Sequence, residues 1–218
     1  MRFLLALAIA VSASLPPSKS FSDDFARTDA LSPPNYLELE GAPPLVVAAS
    51  HRVCSSDHGF AFASMAFPPR IAANVTFIAN DVQGQECYAL FSTGSMSPMD
   101  GSESSPLLFA GCDGGGGGKC IPTIWLLNNS TKARAKPILL QLGVAVRLNV
   151  AVAPSSGGDL SVLLRVVDDA SGALLASVDS VVTVGAPLTH AGFLVGRGSG
   201  KPTCVTKLDV TSNGPPHA

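Results

Sequence analysis

Two neighbouring stretches of strict apolar–polar alternation constrain this chain more than anything else in it. In 144–152, Val144, Val146, Leu148, Val150 and Val152 share one side, while Ala145, Arg147, Asn149 and Ala151 share the other. That is the period of a strand buried on one face. Residues 160–168 repeat the pattern with Leu160, Val162, Leu164 and Val166. Between them Pro154-Ser155-Ser156-Gly157-Gly158-Asp159 has turn composition, so the pair predicts a β-hairpin. A second turn, Asp168-Asp169-Ala170-Ser171-Gly172, leads into runs at 173–178 and 180–184. Further short runs at 59–66, 75–79, 87–92, 121–127, 138–142, 191–196 and 203–210 read as strands separated by Gly, Pro and Ser. No segment sustains a 3.6-residue period with caps, and 93–106 and 111–119 read as long loops. The expectation is an all-β, antiparallel sandwich with little helix.

The chain opens with a different pattern. Arg2 precedes an unbroken apolar run at 3–11, and Val11-Ser12-Ala13 offers small residues at a cleavage site. This is the layout of a secretory signal peptide. The run is far short of the roughly 20 apolar residues needed to span a bilayer, and Pro16-Pro17 follows closely. The polar end TSNGPPHA carries no lipid-anchor transfer signal. The expected organisation is a signal peptide at 1–13, a linker at 14–20, one sandwich domain at 21–212 and a disordered tail at 213–218. The expected location is extracellular, with no membrane attachment. Apolar residues make up 46% and charged ones 14%, which excludes disorder for most of the chain. A net charge of −2 with no Lys/Arg cluster lacks the footprint of a nucleic-acid binder.

In an oxidising compartment Cys54, Cys87, Cys112, Cys120 and Cys204 default to disulfides, and an odd number leaves one over. Cys112 and Cys120, flanking a glycine run, are the local pairing candidates. Without a Cys-x-x-Cys, and with His51, His58, His190 and His217 scattered, a zinc site is disfavoured. Asn74, Asn128 and Asn129 each head an N-x-[ST] triplet and are glycosylation candidates, although glycans on adjacent Asn128 and Asn129 would obstruct one another.

The opening Phe21-Ser22-Asp23-Asp24-Phe25-Ala26-Arg27, the middle strand Tyr88-Ala89-Leu90-Phe91, the hairpin at 146–168, and the closing His190–Gly196 and Thr206–Val210 segments resemble one family in their order. It is the concanavalin A-like lectin/glucanase superfamily, and in particular its laminin-G-like jelly rolls. The resemblance implies an antiparallel jelly-roll sandwich whose first and last strands are neighbours. On that topology Asp23, Asp24 and Asp209 could converge as Ca²⁺ ligands, against the plainer reading of surface acids on strands.

The superfamily's glucanases carry paired carboxylates on one strand. Here Glu38 and Glu40 alternate on one strand face with no third acid after them, Glu86 precedes Cys87, and Glu103 sits in a Ser-rich stretch. The glucanase motif is absent. The run Cys112-Asp113-Gly114 to Gly118-Lys119-Cys120 departs from a phosphate loop, with Cys120 at the Ser/Thr position and Pro122 where a helix should start. His51, Cys54, Asp57 and His58 show no arrangement marking a cysteine nucleophile over a disulfide. For sugar recognition, aromatic platforms and hydrogen-bonding side chains are needed, and Trp125, Tyr88 and Asp113 are the candidates. Trp125 lies in an apolar stretch, which favours a core position, and Tyr88 alternates with Leu90. The functional expectation is a secreted, non-catalytic module binding glycan or an extracellular protein. The alternatives are a divergent glycoside hydrolase or polysaccharide lyase and a structural wall or matrix protein.

Overall fold

The computed structural model describes residues 18–27, 29–31, 34–37, 45–48, 50–55, 59–79, 86–93, 108–115, 118–127, 129–196 and 203–212. The expected signal peptide and tail, residues 14–17 of the linker, and Glu38, Glu40, Asp57, His58, Asp81, Glu103 and Asn128 lie outside them.

Strands in chain order are β1 (Ser20–Asp23), β2 (Val47–Ala48), β3 (Arg52–Cys54), β4 (Gly59–Phe62), β5 (Ile71–Ile78), β6 (Glu86–Ser92), β7 (Leu108–Gly115) and β8 (Lys119–Leu126). They continue as β9 (Asn129–Arg134), β10 (Ile138–Leu139), β11 (Ala145–Pro154), β12 (Leu160–Asp168), β13 (Leu174–Val182), β14 (His190–Gly196) and β15 (Cys204–Ser212). The only helical turn among the described residues is a short 3₁₀ piece, Ser156–Gly158, inside the β11–β12 connection. One eight-stranded sheet runs β13-β12-β11-β5-β15-β3-β2, with β1 also on β15. A seven-stranded sheet runs β10-β8-β7-β6-β14-β4, with β9 on β8. Every ladder is antiparallel, and the first and last strands do pair, Phe21 opposite Val210.

The alternation in β11 and β12 works as written. Val146, Leu148, Val150, Val152, Leu160, Val162, Leu164 and Val166 are all buried, while the intervening residues are not. They join Ala73, Val75, Phe77, Leu208 and Val210 from the same sheet, and Ala89, Phe91, Ala110, Ile124, Phe193 and Val195 from the other, in one core between the sheets.

The opening motif turns the chain into this core. Asp23 is buried, accepts from the Phe25 N–H at 2.8 Å and the Tyr36 hydroxyl at 2.8 Å, and pairs with the Arg27 guanidinium. These bonds hold Phe25 in a left-handed conformation, φ +54°, with its ring fully buried edge-on to Phe193. The conformation is unusual for a bulky residue, and the capped turn is what sustains it here.

Several boundaries differ from expectation. The stretch 111–119 is shorter as a connection than expected: β7 extends through Gly115 and β8 begins at Lys119, with 116 and 117 outside the described residues. Ladder pairing from Leu108↔Leu126 to Gly115↔Lys119 carries Gly111, Gly114 and Gly115 in the strand despite their weak strand preference, and Gly118 turns with φ +73°. Residues 174–182 form one strand rather than two. Strands β2, β3 and β9 were not legible, being two to six residues long, and β9 is polar (NSTKAR). Disulfides join Cys54 to Cys204 and Cys112 to Cys120, and Cys87 is a buried free thiol.

Candidate functional site

The seven-stranded sheet is apolar on both faces. Its core side holds Cys87, Ala89 and Phe91 of β6, and Leu108, Ala110 and Cys112 of β7. Side chains alternate across a strand, so Tyr88 and Leu90 of β6, Phe109 of β7 and Trp125 of β8 point the other way. They form a second cluster with Phe62 and Leu194, separate from the main core. Cross-strand register aligns Phe62, Gly192, Leu90, Phe109 and Trp125 in one row across five strands, a span of about 19 Å at sheet spacing. Phe109 and Trp125 stack with centroids 4.0 Å apart and planes 11° from parallel, and Tyr88 meets both rings edge-on.

Trp125 therefore lies outside the main core, on the outer face of its sheet and partly buried at the cluster's rim. Tyr88, edge-on to it, is 6% exposed. Asp113 follows Cys112 on the same outward side, and its Oδ2 accepts from Arg134 Nη2 of β9 at 2.7 Å. Glu86 begins β6 two residues before Tyr88, on the same outward side, and its charge and that of Asp113 both reach the Tyr88 hydroxyl. Burial drives the Tyr88 hydroxyl far above the ordinary tyrosine range, the Asp113 and Glu86 charges push it the same way, and a hydrogen bond with Trp125 and the Arg134 charge oppose them. The phenol stays protonated and can donate. The structure thus brings Trp125, Tyr88 and Asp113 together. Phe109, Leu90 and Arg134 belong to the same arrangement and were missed. Phe109 lies in the continuous apolar run Leu108-Phe109-Ala110, whose pattern does not say which residues face outward, and Arg134 lies in a polar run just after the N-x-[ST] triplets.

Asp23, Asp24 and Asp209 do not assemble into one ligand set. Ser22 is in register with Asp209, so Asp209 shares its face with Ser22, whose neighbour Asp23 points to the opposite one. Asp23 is occupied by Arg27, Tyr36 and Phe25; Asp24 accepts from the Ala26 N–H; Asp209 accepts from Ser22 at 2.6 Å and pairs with Lys207 at 2.9 Å. Ca²⁺ needs six or more oxygens, and no group of three potential ligands gathers among the described residues. The residues there do not fit that ion. Asn74 sits mid-strand in β5 on the outer face of the eight-stranded sheet, between Asn149 and Asp209. Asn129 begins β9. His51 lies at the β2–β3 turn with its Nδ1 3.1 Å from the Phe25 carbonyl oxygen, away from Tyr88 and Glu86.

His190 occupies the outer side of β14, in register with Ser92, its Nδ1 3.0 Å from Thr189 Oγ1. Burial lowers its pKa from the usual 6.5. Above that value the ring is neutral in both folded and unfolded chains and contributes nothing. As pH falls through it, the unfolded chain takes the proton first, so stability declines until the folded ring also titrates. Thermal melts from about pH 7 to pH 5 should show this decline, and His190→Gln should flatten it. An unchanged profile in the variant would assign the decline to other groups.

No protein-family model matches the chain, and no curated protein does. Solved structures do. The exoplasmic/lumenal domain of VIP36 in its metal-free form aligns with a TM-score of 0.54 at 14% identity, covering 89% of this chain and 92% of that one. The same domain bound to Ca²⁺ and Man3GlcNAc gives 0.50 at 15%, covering 87% and 93%. A legume lectin-like domain from Entamoeba histolytica aligns at 0.52 and 8%, covering 77% and 87%. A structure from work on endo-acting O-glycanases of the human gut microbiota that initiate mucin breakdown aligns at 0.51 and 12%, covering 87% and 97%. With two antiparallel sheets, paired terminal strands and these neighbours, the chain has the concanavalin A-like jelly-roll fold of the legume lectin-like domains.

Proposed function

We propose that the chain is a secreted, glycan-binding module whose ligand lies on the outer face of the seven-stranded sheet, against Trp125 and the Asp113–Arg134 pair. One observation carries this reading: the stacked Trp125–Phe109 rings, with Tyr88 edge-on, lie on the side away from the core and beside charged hydrogen-bonding groups. An aromatic surface suits the apolar face of a sugar ring, and a guanidinium, a carboxylate and a protonated phenol suit its hydroxyls. The eight-stranded sheet offers no aromatic side chain on its outer face among the described residues. The two disulfides fit an oxidising compartment, and lectin-like neighbours, one of them solved with Man3GlcNAc, support a glycan as ligand.

Glycan arrays and polysaccharide affinity gels, run with Ca²⁺ present, test it. The intact protein should bind. Trp125→Ala should weaken binding about tenfold or more, as a central aromatic anchor does, and Arg134→Ala should weaken it less. Asp113→Asn alters only a half-exposed ion pair worth little to stability, so its effect reports on recognition. Arg165→Ala, on the other sheet, should change nothing. Absence of binding across the panel, or wild-type binding by Trp125→Ala, would remove the proposal.

A second reading, a divergent glycan-cleaving enzyme, draws on Glu86 and Asp113, two carboxylates whose charges both reach Tyr88 on the outer face. Paired carboxylates are the usual requirement for glycoside hydrolysis. It predicts release of reducing ends from a bound polysaccharide and loss of that release in Glu86→Gln with binding retained.

A further inference from the structure

The leftover cysteine is not isolated. Cys87, Cys112 and Cys120 lie on β6, β7 and β8, three adjacent strands of one sheet, and all are fully buried on the core side. Cys112 is the middle one: it is bonded to Cys120 on β8 and stands directly opposite Cys87 on β6. Directly opposed residues in an antiparallel pair have Cα atoms about 4.5 or 5.5 Å apart, and both values fall within the range a disulfide accepts. The protein already contains such a bridge. Cys54 and Cys204 are in direct register between β3 and β15, with Cα atoms 4.3 Å apart, and they are bonded.

We propose that Cys87 is an exchange partner for the Cys112–Cys120 disulfide, so that Cys112 can be bonded to either neighbouring strand. The step is balanced within the chain. Cys87 gives up its proton and its thiolate attacks Cys112 Sγ. The Cys87–Cys112 bond forms as the Cys112–Cys120 bond breaks, and Cys120 leaves as a thiolate that takes up a proton. Two electrons stay in one disulfide throughout, and no external oxidant is needed. Before exchange the bridge closes the β7–β8 turn next to Asp113; afterwards it ties β6 to β7 and releases that turn. Complete burial holds the Cys87 thiol well above the ordinary range, so attack requires the β6–β7 ladder to open locally. The exchange is therefore slow in the resting fold and speeds up under mild destabilisation. It stands independently of the glycan reading.

Two experiments on the full chain decide it. In the first, the oxidised protein is held at mildly alkaline pH in sub-denaturing urea, quenched with acid, alkylated and mapped by mass spectrometry under non-reducing conditions. A Cys87–Cys112 peptide should appear and the alkyl label should move from Cys87 to Cys120, with Cys54–Cys204 unchanged. If Cys87 becomes alkylated while Cys112–Cys120 stays intact, the thiol is exposed without exchanging and the proposal fails. In the second, Cys120→Ser leaves Cys87 and Cys112 without their competitor. Air oxidation should consume both thiols within the monomer. Two persistent thiols, or a disulfide-linked dimer, in a variant that retains its β circular dichroism would overturn the assignment.

Discussion

Replacing Cys54 and Cys204 together by Ala is expected to cost the fold about 5 kcal/mol, the largest loss from any single bridge in the chain. The bond closes a loop of 150 residues, and the entropy a crosslink removes from the unfolded chain rises with the logarithm of loop length. The Cys112–Cys120 bond spans 8 residues, and on the same scale its removal costs about 2.5 kcal/mol. Local structure sharpens the contrast. Strand β3 pairs with β15 at two positions only, so the bridge is the main tie between this edge and the last strand. Strands β7 and β8 keep eight paired positions without their disulfide. Urea unfolding of both double variants against the parent measures the difference. Equal losses would show that strand packing, not chain closure, sets the value of these bonds.

What the sequence revealed follows which strands face water. Strands β11 and β12 have the core on one side and solvent on the other, so Val146–Val152 and Leu160–Val166 could be assigned in phase and paired as a hairpin. Strand β6 is buried on both sides, with six of its seven residues buried. A strand of that kind reads as a continuous apolar run, and its alternation cannot say which residues face the core. That ambiguity made Trp125 look like a core residue, although its own strand shows Ile124 and Leu126 in the core and Trp125 turned outward.

Pairings distant in sequence were hidden for a related reason. Cys112–Cys120 is local, but nothing in the spacing of Cys54 or Cys204 links β3 to β15. The Arg134–Asp113 contact depends on β9 folding back along β8, Thr123 opposite Arg134, in a polar run that carries no apolar alternation to mark it as a strand. The acids Asp23 and Asp209 failed the other way. The resemblance placed the first and last strands together, and they are together. Yet a one-residue difference in register puts the two carboxylates on opposite faces. Topology can be anticipated from motif order, but a ligand set also requires phase.

Gly192→Ala should be among the most damaging single substitutions in the chain, costing about 3 kcal/mol, the upper end of ordinary overpacking. A Cβ at Gly192 would sit 1.9 Å from the Ala61 carbonyl oxygen and 2.7 Å from the Phe62 Cα. Gly111 repeats the situation one strand pair away, with a Cβ 2.2 Å from the Cys87 carbonyl oxygen and 2.6 Å from the Tyr88 Cα. The obstructing atoms are backbone, so no rotamer change relieves them and the strands themselves must part. Both glycines lie on the aromatic face, Gly192 between Phe62 and Leu90, Gly111 between Tyr88 and Thr123. Parting the strands would disturb the row that presents Trp125. Gly143→Ala is the control: its φ is +76° and nothing lies within 4 Å of a Cβ there, so it pays only the left-handed penalty of about 1 kcal/mol. For a domain of this size each kcal/mol shifts Tm by about 2–4 °C, which separates about 6–12 °C for Gly192→Ala from about 2–4 °C for Gly143→Ala. If the two melt together, the β4–β14 ladder is looser than its register implies, and the close approach that shapes the aromatic face is not what holds it.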